Sequence, residues 1–132
     1  MSKSYGNTID IFGEEKETRK RVMSIVTDST PVESPKDPET SSIVQLYSLL
    51  ANEAETSAMK DAFRKGGTGY GEFKKQLATR LWEYFEPMRK RREELQADSD
   101  YIDDFLKRGA SRANAVADQV MARVRKATGL TR

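Results

Sequence analysis

Apolar positions recur every three or four residues along most of this 132-residue chain, which is the spacing of an amphipathic α-helix. No stretch alternates apolar and polar residues over the length of a β-strand. The pattern therefore predicts an all-α fold, a helical bundle of about six helices preceded by an irregular N-terminal loop. The predicted helices cover about residues 14–26, 42–51, 53–65, 71–96 and 99–109, and a last helix extends from about Ala113 to Gly129.

Proline, glycine and capping residues predict where these helices begin and end. Three prolines make the segment after the first helix a connector, because proline lacks an amide donor and disfavours helix before it. Ser41 or Ser42 is the expected N-cap of the second helix. Pro87 is expected to kink the long helix without ending it. Ser99 is expected to cap the fifth helix, and Gly109 to end it.

Two residue types are missing from the chain, histidine and cysteine. Their absence excludes histidine general bases, cysteine nucleophiles and zinc sites built from these residues. The adjacent acids Asp103 and Asp104 diverge by about 100° on a helix, so no metal site is predicted there or at similar pairs. Without disulfides, a signal segment or an apolar stretch near the ~20 residues of a membrane span, we expect a cytoplasmic protein with no membrane partner.

Charge is unevenly distributed, although 23 Lys and Arg nearly balance 21 Asp and Glu. Residues 59–92 contain ten bases and four acids, a local excess of six positive charges. The formal net charge of +2 for the whole chain conceals this basic segment.

Residues 1–4 read MSKS, which resembles the KMSKS signature of class I aminoacyl-tRNA synthetases without its first lysine. More matching segments follow: VTDS at 26–29, LYSLLA at 46–51, GGTGYGEFKKQLA at 66–78 and GASRANAVADQVMARVRKATGL at 109–130. Together they resemble the C-terminal part of bacterial-type tryptophanyl-tRNA synthetases along nearly the whole chain. Tyrosyl relatives share the loop, but GYGEFK and the final helix favour the tryptophanyl branch.

The resemblance implies two parts, an MSKS catalytic loop at residues 1–13 and a helical anticodon-binding domain at residues 14–132. In this family the nucleotide-binding fold, the tryptophan pocket and most of the homodimer interface precede the loop. We therefore expect a C-terminal fragment of a tryptophan–tRNA ligase that is catalytically inactive alone. Its partner would be tRNA(Trp), and tryptophan and ATP would bind only with the N-terminal half. The alternative is a free-standing, non-catalytic helical module, derived from a synthetase, that binds RNA or a protein.

For the MSKS loop, the resemblance implies a role at the phosphates of ATP. The family joins tryptophan to the α-phosphate of ATP, held with Mg²⁺, and negative charge builds on the departing pyrophosphate. Lys3 matches the second lysine of the signature and is the predicted catalytic residue. The predicted ATP-binding set is Met1, Ser2, Lys3 and Ser4, and Gly6 would let the loop close. In the isolated chain the alternative is an exposed, frayed terminus with one solvated lysine, and no cofactor is expected to bind stably.

The helices contain the predicted tRNA contacts, since RNA binding needs cations for phosphates and aromatic faces for bases. Lys75, Trp82 and Arg89 are spaced by seven, and an aromatic ring between two cations could stack a base. Alternatively, Trp82 packs against a second helix. On the last helix Arg112, Gln119, Arg123 and Lys126 fall within about 60° of arc, either as an RNA contact or as a solvated face. The predicted tRNA-binding residues are Lys74, Lys75, Trp82, Arg89, Arg91, Arg92, Arg112 and Arg123.

Overall fold

A computed structural model describes residues 3–130 of the chain and contains six α-helices, with no strand among those residues. It confirms the predicted all-α class and the number of helices. A single 3₁₀ turn, Lys3–Tyr5, precedes them. The helices are α1 (Glu15–Met23), α2 (Ser42–Ser48), α3 (Glu53–Lys65), α4 (Tyr70–Tyr84), α5 (Glu86–Ala97) and α6 (Ser99–Thr128).

The chain divides into two compact units, Met1–Arg89 and Lys90–Arg132. In the first unit, α1 and α2 pack against α4, and α2 also packs against α3. Phe73, Leu77 and Leu81 on one face of α4 are buried, whereas Tyr84 at the end of α4 and Met88 on α5 are each 44 % exposed. The buried apolar core comprises Val22, Ile43, Val44, Met59, Phe63, Phe73, Leu77, Ala78 and Leu81.

Local signals account for the ends of α3. The Asn52 side chain accepts from the Glu55 amide, and the Glu55 carboxylate accepts from the Asn52 amide, so a capping box begins the helix. Gly66 follows its last residue with φ +74°, a conformation that glycine adopts without strain. The predicted and observed bounds of this helix therefore agree. Ser41 is confirmed as the N-cap position of α2, although its hydroxyl makes no capping hydrogen bond.

The prediction of one long helix kinked at Pro87 is wrong. The helix α4 ends at Tyr84, Phe85 follows with φ −90° and ψ 1°, and α5 begins at Glu86. Proline cannot donate to the carbonyl of Glu83, and its ring would clash with that carbonyl in a continuous helix. In the first turn of α5 the missing donor costs nothing, so Pro87 is placed where a new helix tolerates it.

The prediction of a helix end at Gly109 is also wrong, because α6 is continuous over 30 residues. A glycine in a helix interior costs about 1 kcal/mol relative to alanine, which a helix of this length can absorb. The N-cap is Asp98, whose side chain accepts from the Tyr101 amide, and the predicted serine cap at Ser99 is the first helical residue instead. Gly129 ends α6 in a left-handed conformation, as predicted.

Among the described residues, no helix is both long enough and apolar enough to cross a membrane.

Candidate nucleic-acid interface

The N-terminal loop is tied to α1 by two hydrogen bonds. The Arg21 guanidinium donates to the Gly6 carbonyl at 2.7 Å, and the Thr18 hydroxyl donates to the Asp10 carbonyl at 3.0 Å. Gly6 itself has φ +60°, so the bend beside the MSKS residues depends on a glycine. Of the four predicted ATP contacts, Lys3 and Ser4 lie in the 3₁₀ turn and Ser4 is exposed, while Met1 and Ser2 lie outside the described residues.

An open cleft of about 720 Å³ lies between this loop, the end of α1 and α2. Three large apolar side chains that line it, Tyr5, Val26 and Leu49, are 83, 91 and 74 % exposed. Sequence periodicity missed this cleft because Tyr5 and Val26 lie outside the helices. The cleft places exposed apolar surface directly beside the MSKS residues.

Two of the three residues predicted to share a face, Trp82 and Arg89, lie in direct contact. The guanidinium carbon of Arg89 is 3.5 Å from the centroid of the Trp82 ring, a cation–π stack. Arg89 also donates to the carbonyls of Trp82 and Ile11, so it links the end of α4 to the N-terminal loop. One face of the indole is therefore covered by a cation of the same chain, and the Trp82 residue as a whole is partly buried.

The other predicted cations of α4 make local contacts. Lys75 is exposed and pairs with Glu72 at 3.4 Å, so it does not join the Trp82–Arg89 stack. The Lys74 ammonium donates at 3.3 Å to the carbonyl of Met23, the last residue of α1. The carboxyl end of a helix carries the negative end of its dipole, so a nearby cation interacts with it favourably. Lys74 therefore also stabilises the packing of α1 on α4.

The predicted contacts in the second unit lie on exposed helix surfaces. On α5, Arg91 pairs with Glu94 at 2.8 Å, and Arg92 is exposed. On α6, Arg112 and Arg123 are exposed and about 20° apart around the helix axis, separated by about 16 Å along it. At this separation the two arginines cannot enclose one anion, and they would contact different phosphates.

Lys36, which sequence reasoning did not single out, is 4 % exposed. Its ammonium donates to the carbonyls of Pro31, Val32 and Ser34, each at 3.0 Å, and lies 5.5 Å from the ring centroid of Tyr70. These contacts satisfy all three donors of the ammonium and hold the proline-rich connector in a tight curl. In the sequence, the one indication of this role is that Lys36 is the single basic residue of an acidic, proline-rich segment.

Two carboxylates and a phenol line a small polar pocket of about 300 Å³ next to this connector. The Tyr70 hydroxyl donates to Asp28 at 3.0 Å. Hydrogen bonds from the side chain and amide of Thr30, and then from Tyr70, lower the pKa of Asp28 below its ordinary 3.8. Burial, followed by the bond to Asp28, raises the pKa of Tyr70 above 10.0. The amide of Glu39, first, and the Thr40 hydroxyl lower the pKa of Asp37.

These shifts predict an acid-sensitive fold. A carboxylate whose pKa is lower in the folded state stabilises the fold above its unfolded pKa, and the stabilisation is lost as pH falls through the folded value. We expect Asp28→Asn to have a lower Tm than the parent at neutral pH, and the difference between the two Tm values to shrink as pH falls below 3.8, the ordinary pKa of an aspartate. Thermal unfolding followed by circular dichroism across this range measures both. The control is Asp104→Asn, which replaces an exposed carboxylate on α6. A Tm difference between Asp28→Asn and the parent that did not change with pH would contradict a stabilising role of the ionised Asp28.

The comparisons with known proteins agree with the arrangement of loop and helices. No protein-family model matches the chain. Over 130 residues it is 52 % identical to the tryptophan–tRNA ligase of Rhodopirellula baltica and 42 % identical to that of Fusobacterium nucleatum. These alignments cover 98 % of this chain but only 41 and 40 % of the relatives.

A crystal structure of tryptophanyl-tRNA synthetase from Campylobacter jejuni has a TM-score of 0.91 to this chain at 39 % identity. The match covers 98 % of this chain and 42 % of that protein. The chain thus spans about two fifths of the length of these three relatives. Over these 130 residues the chain matches the C-terminal portion of tryptophan–tRNA ligases in sequence and in fold.

Proposed function

We propose that this chain provides the ATP-phosphate-contacting MSKS loop and the helical tRNA anticodon-binding domain of a tryptophan–tRNA ligase. The observation that carries the proposal is the 52 % identity to such a ligase over 130 residues, an alignment that includes nearly the whole chain. The complete enzyme would activate tryptophan with ATP and then charge tRNA(Trp), as a cytoplasmic homodimer. The chain alone would be catalytically inactive, because about three fifths of the relatives' length has no counterpart in it.

The loop has the chemistry to contact a nucleotide. A lysine and two serines, Lys3 with Ser2 and Ser4, offer a cation and hydroxyl donors of the kind that phosphate oxygens accept. The glycine bend at Gly6 and its hydrogen bond from Arg21 give the loop a defined anchor on α1. When bound, ATP with Mg²⁺ supplies the activated α-phosphate and the pyrophosphate leaving group. A related C. jejuni enzyme has been crystallised with ADP and tryptophan, which supports a nucleotide role for the family.

The helices offer two separate sets of tRNA contacts. In the first unit the Trp82–Arg89 stack and the exposed Lys75 provide an aromatic edge with cations, and Lys74 contributes mainly by holding α1 on α4. In the second unit Arg91, Arg92, Arg112 and Arg123 provide exposed cations for phosphates. Because these side chains are long and exposed, we expect them to contribute affinity more than base selectivity.

A chimeric enzyme tests the proposal directly. This chain would replace the matching C-terminal portion of the R. baltica ligase, whose sequence is 52 % identical over that span. We expect the purified chimera to charge tRNA(Trp) with tryptophan in an ATP-dependent reaction, and this chain alone to show no tryptophan-dependent pyrophosphate exchange. A folded but inactive chimera would contradict the proposal. If this chain still bound tRNA in that case, the non-catalytic module would be the better description.

Binding of tRNA should depend on exposed arginines and on salt. We expect the double variant Arg91→Gln, Arg92→Gln to bind tRNA(Trp) roughly three- to tenfold more weakly near 0.1 M salt, with a shallower dependence of affinity on salt concentration. Arg89 is left intact because it holds the N-terminal loop. Fluorescence anisotropy of labelled tRNA measures the effect, and Lys16→Gln on α1 is a control with the same change of charge per site. Binding that did not vary with salt would contradict an electrostatic interface.

A further inference from the structure

Arg21 and Thr18 of α1 hold the N-terminal loop by its backbone. The Arg21 guanidinium donates to the Gly6 carbonyl at 2.7 Å, and the Thr18 hydroxyl donates to the Asp10 carbonyl at 3.0 Å. Of these two bonds, the one from Arg21 is shorter and lies nearer in sequence to Lys3, the predicted catalytic residue. Arg21 is therefore placed to control the part of the loop that contains the MSKS residues.

Gly6 is the residue at which the loop can change direction. The 3₁₀ turn Lys3–Tyr5 ends immediately before it, and Gly6 itself has φ +60°. A Cβ at Gly6 would meet no atom within 4 Å, so close packing at its α-carbon does not fix the bend. Glycine can adopt many backbone conformations at little cost. The hydrogen bond from Arg21 therefore selects one of them and sets the direction of the turn that contains Lys3.

The helix from which Arg21 extends is a firm support. Val22, the next residue of α1, is fully buried in the core, and Thr18, one turn earlier, is 3 % exposed. The helix α1 also packs against α4. The Arg21 side chain is exposed and lines the open cleft beside the loop. Its removal would therefore release the bend at Gly6 without removing a contact of the core.

We propose that Arg21 is a positioning residue for the MSKS loop, which holds the turn with Lys3 where the lysine can reach the phosphates of ATP. This inference rests on the proposed function, because it gives Arg21 a role in tryptophan activation through Lys3. Electrostatic stabilisation of a transition state requires a charge whose position is set before the reaction. A displacement of about 1 Å can lower the rate by as much as about 10²-fold. Arg21 itself would touch neither ATP nor tryptophan.

The kinetics of the chimeric ligase test this role. We expect Arg21→Ala to lower the kcat of tryptophan-dependent pyrophosphate exchange about tenfold at saturating ATP, with little change in the KM for tryptophan. Arg21→Lys should recover part of the loss, because an ammonium can donate to the same carbonyl. The control is Lys20→Ala, which removes an exposed cation from the adjacent position and should keep the parent rate. An unchanged kcat for Arg21→Ala would overturn this inference alone, whereas an inactive parent chimera would contradict the proposed function as well.

A double-mutant cycle shows whether Arg21 acts through Lys3. Once Lys3→Ala has removed the cation, the position of the turn should matter little, and Arg21→Ala should lower kcat further by about twofold at most. Another tenfold loss in the Lys3→Ala background would mean that Arg21 acts independently of Lys3, and would overturn the inference. A clear fall in the Tm of the chimera with Arg21→Ala would also overturn it, since that result would indicate a structural role.

Limited proteolysis of the 132-residue chain provides a second readout, which does not depend on activity. Chymotrypsin cleaves after aromatic residues, and Tyr5 is 83 % exposed at the end of the 3₁₀ turn. Because cleavage requires the turn to open, we expect Arg21→Ala to be cut after Tyr5 several-fold faster than the parent or Lys20→Ala. Mass spectrometry identifies the product. Equal rates in the three proteins would show that the bond to Gly6 does not restrain the loop, and would overturn the inference.

Discussion

Replacing Gly66 with alanine should destabilise the first unit by about 3–5 kcal/mol, the largest stability loss that we expect from one added methyl group. A Cβ at this position would lie 2.5 Å from the carbonyl oxygen of Glu33 and about 3 Å from the backbone of the next two residues. The φ of +74° adds backbone strain for any residue other than glycine. The connector would have to move away from the end of α3 to relieve the clash.

That movement would break several contacts at once. The Lys36 amide donates to the Phe63 carbonyl at 2.8 Å, and the Gly67 amide donates to the Val32 carbonyl at 2.9 Å. The buried Lys36 ammonium depends on the same curl of the connector for its three carbonyl acceptors. Loss of these contacts would expose polar groups that are satisfied only in the curled connector, which is why the expected cost exceeds the strain alone.

The neighbouring glycine provides a matched control. Gly67 has φ +79°, but a Cβ there would meet no atom within 4 Å. Gly67→Ala should therefore show only the cost of a left-handed alanine, about 1–2 kcal/mol. Urea unfolding followed by circular dichroism gives both free energies. Equal stability of the two variants would show that the close approach of the connector to Gly66 is not a rigid feature of the fold.

Local signals predicted most of the fold, and long-range context decided the rest. The bounds of α3 follow from Asn52, Glu55 and Gly66, which act within one turn of the helix ends. Pro87 and Gly109 are signals of similar kind, but each can either interrupt a helix or be tolerated in it. The outcome depends on the strength of the flanking helix, and a single sequence does not measure that strength. Hence the number of helices was predicted correctly while two of the divisions between them were not.

In the candidate site, too, features set by local sequence could be predicted, and contacts between distant segments could not. The MSKS residues were recognisable because they are contiguous. Trp82 and Arg89 are seven residues apart and lie in contact as neighbours in the chain, although the helix breaks between them at Phe85. That Arg89 also binds the Ile11 carbonyl, and that Lys36 is buried, depend on contacts between segments distant in sequence or on loop geometry. Helical periodicity carries no information about such contacts.

In the chimeric ligase, Lys3→Ala should lower the rate of tryptophan activation about 10²–10³-fold, the usual loss when one preorganised charge or donor at a transition state is removed. Negative charge on the pyrophosphate grows as the bond to the α-phosphate breaks, so the lysine would stabilise the transition state more than the ground state. The KM for tryptophan should therefore change little, because tryptophan would be held by the N-terminal half. Tryptophan-dependent pyrophosphate exchange measures both constants.

Two controls separate a catalytic from a structural role for Lys3. Lys16→Ala removes an exposed lysine of α1 and should leave exchange unchanged. The Tm of the chimera and its affinity for tRNA(Trp) should be the same with and without the Lys3→Ala change, as expected of a residue that acts only at the phosphates of ATP. If exchange kinetics were unaffected, Lys3 would have no share in catalysis. If kcat and Tm fell together, the loop would support the fold, and the assignment of the phosphate contact to Lys3 would be wrong.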